Sequence, residues 1–71
     1  MPTAIPTAEA DHLRKLLATD RRDLRALLLR AREYGPHKGR DQAILDLRGR
    51  ISRNDRRLQV LEAMAGEAAH R

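Results

Sequence analysis

Apolar residues recur at alternating steps of three and four along two long blocks of this chain. The first block carries Ala10, Leu13, Leu17, Leu24, Leu27, Ala31 and Tyr34, with Asp20 at the position where the rhythm calls for another apolar residue. The second carries Ile44, Leu47, Ile51, Leu58, Leu61, Ala65 and Ala68, with Asn54 in the corresponding role. This spacing keeps one stripe of a helix turned toward a partner helix, and it does not fit the two-residue repeat of a strand. Between the blocks stands YGPHKG, residues 34–39. Gly35 takes the left-handed conformation that ends a helix, and Pro36 cannot continue one. The expectation is therefore an all-α chain: a two-helix antiparallel coiled-coil hairpin that dimerises into a four-helix bundle.

The same reading places the boundaries. Pro2 and Pro6 make residues 1–6 an extended lead-in. Thr7 is the N-cap of a helix over 7–34, residues 35–40 form the loop, and Asp41 caps a second helix over 41–66. Gly66 is read as the stop, the hairpin as a whole as residues 7–68, and residues 69–71 as a tail. Gly49 costs the second helix about 1 kcal/mol relative to Ala. A break there, restarted by Ser52 with Asp55 three residues on, is the alternative.

Folding the chain back at YGPHKG opposes Leu13 to Leu61, Leu27 to Leu47, and Asp20 to Asn54. The two polar seam residues thus share a layer. Positions beside the seam are opposite in sign: Arg14 with Glu62, Arg21 with Asp55, and Asp23 with Arg50. Exposed pairs of this kind are worth only a few tenths of a kcal/mol each, yet together they favour this register over a shift by one heptad. Asp20, Asn54, Arg21 and Asp55 are therefore read as the layer that fixes register.

At 71 residues with no Cys, the chain buries a small core and has no disulfide to reinforce it. Tyr34 is its one aromatic residue, so the core is built of Leu, Ile and Ala. His12, His37 and His70 lie far apart, which gives no metal-ligand spacing. GPHKG lacks the spacing and the trailing Ser or Thr of a phosphate loop, and Ser52 has no His at helical reach. No catalytic residues, metal, cofactor or small-molecule substrate is expected, and the chain is read as not an enzyme. No apolar run reaches the roughly 18 residues of a membrane span. MPTAIPTAEA has neither the basic start nor the apolar core of a secretory signal. The expectation is a cytoplasmic protein with no membrane partner.

Two sets of residues are left over once the seam is assigned. Leu16, Val60 and Met64 lie beside it at the open end of the hairpin, and Leu28, Leu29 and Leu45 lie on the other side near the loop. These six are the expected face for a protein partner or a second copy of the chain. The formal net charge is +5, and Arg supplies thirteen of the 15 basic residues. Arg22, Arg25, Arg32, Lys38, Arg40, Arg53, Arg56 and Arg57 are candidate phosphate contacts. The primary expectation is a small basic interaction module, an adaptor or regulator that docks through its helix faces. The alternative is an RNA- or DNA-binding protein acting through arginine–phosphate contacts. The absence of stacking aromatics, and the placement of the basic stripes on opposite flanks, weigh against that alternative.

Two family likenesses are carried by the second block. Leu47, Arg48, Ile51, Asp55, Leu58 and Leu61 resemble the opening helix of the all-helical chorismate mutases, but the chain has no room for the later helices that complete that site. Ile44, Leu47, Arg48, Ile51 and Arg53 are similar to the second helix of the small two-helix protein of the large ribosomal subunit, which would imply ribosome association. Gly49 and Ser52 depart from that pattern, and the Leu-Arg-Phe of that protein's first helix is missing. Neither likeness assigns the chain to a family.

Overall fold

The computed structural model describes residues 7–69. The expected lead-in over 1–6 and the end of the expected tail, with His70, lie outside the described residues. Two helices, α1 (Thr7–Tyr34) and α2 (Lys38–Ala69), pack against each other, and no strand occurs among the described residues. Cross-helix ion pairs run in opposite residue order, Arg14 with Glu62 and then Arg21 with Asp55. That is the order of an antiparallel hairpin.

The turn is built from three local devices. Gly35 has φ +77°, and its N–H donates to the Ala31 carbonyl at 2.9 Å. This is the single-bond left-handed cap that satisfies an orphan carbonyl at the end of α1. Two residues later His37 caps α2: its Nδ1 accepts from the Arg40 backbone N–H at 3.1 Å, and its carbonyl accepts from the Asp41 N–H at 2.8 Å. The helix therefore starts at Lys38, ahead of the expected Asp41. An imidazole nitrogen fills the role assigned to the Asp41 carboxylate, and Asp41 instead sits in the first turn, where a negative charge favours the helix dipole. Arg40 closes the turn from the other side. Its Nη1 donates to the Gly35 carbonyl at 3.2 Å, and its guanidinium lies 5.9 Å from the centre of the Tyr34 ring.

α2 is continuous. It passes through Gly49 without a break and through Gly66 without stopping. Gly35 is the single glycine with positive φ among the described residues, so Gly66 does not adopt the conformation by which glycine ends a helix. The packing of seam residues on both sides of Gly49 outweighs its propensity cost of about 1 kcal/mol.

Burial follows the seam, but unevenly. Leu13, Leu17, Leu58 and Leu61, with Ala10, form one buried cluster in the open half, and Ile51 packs against it. In the loop half, Ile44 and Leu47 of α2 are buried, whereas Leu24 and Leu27 of α1 are only half-buried. Tyr34, counted in the seam by spacing, is 73% exposed. α1 ends there, so the ring has no opposing layer and lies beside Arg40 instead. The molecule measures 55 × 15 × 14 Å, with a radius of gyration of 16.3 Å. A compact chain of this length would have about 11 Å. A rod two helices wide leaves most side chains with one side open.

Candidate interaction surfaces

The polar layer in the seam has a different composition from the expected one. Asp20 is 4% exposed, and both of its oxygens are taken by Arg50, with Nε and Nη2 each donating at 2.8 Å. Asn54 is half-buried and makes no side-chain hydrogen bond to Asp20 among the described residues. Arg50 lies one turn before Asn54 on α2 and reaches the same layer. A bidentate, charge-assisted pair is stronger than a bond from a neutral amide, so Asp20 is held by Arg50 rather than by Asn54. Arg50 was expected opposite Asp23 and turns instead to Asp20, one turn earlier on α1. Asp23 stands 4.0 Å from the neighbouring Arg22. The Asp20 carboxylate beside Arg50 pushes that guanidinium above its ordinary range, chiefly through the hydrogen bonds, and the charges of Asp20, Asp23 and Asp46 add to this.

Ion pairs line both flanks of the hairpin. On one flank Arg14 stands 3.5 Å from Glu62 and 2.9 Å from Asp11, and Arg21 stands 3.3 Å from Asp55. Asp55 also accepts from Gln59 at 3.0 Å. On the other flank Arg57 grips Glu9, with Nε at 2.9 Å and Nη2 at 3.3 Å. The hydrogen bonds from Arg57 hold the Glu9 carboxyl below the ordinary glutamate range, and Glu9 in turn raises Arg57.

These pairs redraw the basic surface. Arg57 does not face outward as expected, because it crosses the hairpin to α1. Arg40 is committed to the turn. Of the candidate phosphate contacts, Arg25, Arg32, Lys38, Arg53 and Arg56 have no carboxylate within 4.0 Å among the described residues, and Arg22 has only Asp23 at that limit. Arg48 belongs with the unpaired cations and was missed. Its signal was present in the spacing. Continuing the ladder from Arg14–Glu62 through Arg21–Asp55 brings Arg48 opposite Leu28, so no acid is available to it across the hairpin.

The leftover apolar residues divide between two places. Leu16, Val60 and Met64 are 37%, 50% and 49% exposed. They sit on the open-end flank that also carries the Glu9–Arg57 pair, with the unpaired Arg53 one turn before Arg57 on the same stripe. At the loop end Leu29 and Leu45 are exposed and Leu28 is half-buried. Their neighbours on the same stripes are Arg25, Arg32 and Arg48.

No group of three or more metal-ligating side chains occurs among the described residues. No helix among them is long and apolar enough to cross a membrane. Comparison with protein family models, with curated proteins and with solved structures finds no match for this chain.

Proposed function

We propose that the protein is a small helical interaction module that works by docking its helix faces, without catalysis, and that it pairs with a second copy of itself to form a four-helix bundle. The observation that carries this reading is the set of large apolar side chains, Leu16, Val60 and Met64 above all, that the hairpin leaves outside its own seam. A two-helix rod has one seam and cannot enclose them, while a second hairpin against the open-end flank would. The Glu9–Arg57 pair there is closed within the chain, so these two charges need no outside partner.

Sedimentation equilibrium tests the reading. Twice the chain mass at micromolar concentration is expected for the native protein, and the chain mass alone for Leu16→Glu combined with Met64→Glu. A native monomer at all accessible concentrations would remove the bundle. A variant that stays dimeric would move the interface elsewhere.

A second reading, contact with nucleic acid phosphates, draws on the unpaired Arg25, Arg32, Arg53 and Arg56. It predicts that log affinity for RNA or DNA falls linearly with log salt, with a slope near −0.7 to −0.9 per phosphate engaged. A flat salt response, or no binding near physiological ionic strength, would dismiss it.

A further inference from the structure

We propose that the loop-end flank, where Leu28, Leu29 and Leu45 are framed by Arg25, Arg32 and Arg48, is the docking surface for an acidic amphipathic helix of another protein. This deepens the interaction-module reading and rests on it. On α1 the sequence numbers 25, 28, 29 and 32 follow steps of three, one and three, so Arg25, Leu28, Leu29 and Arg32 occupy a single stripe. On α2 Leu45 and Arg48 stand on the adjoining stripe. Arg25 and Arg32 thus stand at the two ends of the α1 stripe with Leu28 and Leu29 between them, and Arg48, level with Leu28, lies beside Leu45 on α2.

The ion-pair ladder supplies the reason to look for an outside acid. Its first two rungs, Arg14–Glu62 and Arg21–Asp55, are closed within the chain. The third pairs Arg48 with Leu28, and none of Arg25, Arg32 or Arg48 has a carboxylate within 4.0 Å among the described residues. The remaining acid on this flank, Asp41, lies in the first turn of α2 and forms no ion pair in that range among the described residues.

The chemistry narrows the occupant. A second copy meeting this flank about a twofold axis would set the same three arginines against themselves, and like charges opposed across an interface are costly. A phosphate backbone would satisfy the arginines but leave Leu29 and Leu45, 58% and 61% exposed, in water. A lipid surface would receive only these few leucines, too little apolar area for stable insertion. A helix with a leucine-type strip bordered by Glu or Asp meets both needs at once, since arginine pairs with carboxylates in a bidentate fork. Arg25 and Arg32 are about 10 Å apart along the axis, so two to three turns of a partner cover the patch.

The test uses the full chain and fluorescently labelled synthetic peptides of about 18 residues, read by anisotropy at about 0.15 M salt. One peptide carries leucines at helical spacing bordered by Glu. Its controls replace Glu by Lys, or scramble the same composition out of helical register. The acidic peptide is expected to bind, and R25E/R32E/R48E to weaken it about ten-fold or more. K15E/R53E/R56E, which removes the same charge elsewhere, should change binding by less than about two-fold. Leu45→Gln should weaken it about five-fold. Circular dichroism of each variant reports that the hairpin is intact.

The proposal is overturned if the acidic peptide does not bind, or if both triple variants lose affinity equally. It is also overturned if the scrambled peptide, an RNA oligonucleotide or an anionic vesicle binds this face more tightly. Binding that is lost with Leu16→Glu and Met64→Glu, but not with R25E/R32E/R48E, would refute this flank and leave the interaction-module reading standing. No peptide binding together with a monomer in sedimentation would refute both.

Discussion

Asp20 is the most constrained polar residue of the hairpin, because its carboxylate lies in the seam and depends on one partner for both oxygens. Removing that partner leaves a buried charge unpaired, which costs more than the pair itself contributes. Arg50→Ala is therefore expected to lower the thermal midpoint clearly, whereas Arg53→Ala, three residues on and unpaired, should stay within about 0.5 kcal/mol of the native protein. Replacing both members of the pair, Asp20→Leu with Arg50→Met, should recover at least the stability lost by Arg50→Ala. If it does not, the pair acts through something other than the desolvated carboxylate. A second residue-scale expectation concerns pH. The Glu9 carboxyl is depressed by the hydrogen bonds from Arg57, so its contribution is complete above the ordinary glutamate range and is lost as pH falls through the lower folded value. Denaturant midpoints measured between neutral and acidic pH should fall more steeply for the native protein than for Glu9→Gln.

At the scale of elements, the turn and the two interior glycines decide how the helices begin and continue. His37 caps α2 through Nδ1, so His37→Ala is expected to cost about 1 kcal/mol, and His37→Asn, which keeps a capping acceptor, much less. Equal losses in the two variants would show that the hydrogen bond is not what stabilises the start of α2. Gly49 bears on the same helix from its middle. A Cβ there would meet only the end of the flexible Arg53 side chain, at 3.3 Å. Gly49→Ala should thus stabilise the chain by about 0.5–1 kcal/mol, read from denaturant midpoints. A loss instead would mean that the glycine is needed for close approach of something outside the hairpin.

For the whole molecule, the consequence of a rod is that deep burial is confined to the seam. Leu61 is 2% exposed, and Leu45 is 61% exposed. Leu61→Ala is expected to cost about 2–5 kcal/mol, and Leu45→Ala to stay within about 0.5 kcal/mol, by equilibrium unfolding of the free chain. The contrast separates leucines that hold the hairpin together from leucines available to another surface. If Leu45→Ala proves as costly as Leu61→Ala, the loop-end flank is already covered in solution, and the oligomeric state should then account for it.

The three-and-four rhythm, the Gly-Pro stop and the opposite signs beside the seam are local or pairwise regularities, so they determined two helices, their reversal and the Arg14–Glu62 and Arg21–Asp55 pairs from the sequence alone. The start of α2 was misplaced because a histidine nitrogen can cap as Asp does, and only the backbone geometry at Arg40 reveals it. Tyr34 kept the rhythm but ran out of partner. The acid each long arginine would choose was also beyond the spacing. Arg50 and Arg57 both have reach enough to span more than one register position, so Asp20 rather than Asp23 and Glu9 rather than solvent were settled by the packed helices. The unpaired cation at Arg48 became visible by the same route, as the rung of the ladder that the chain leaves without its acid.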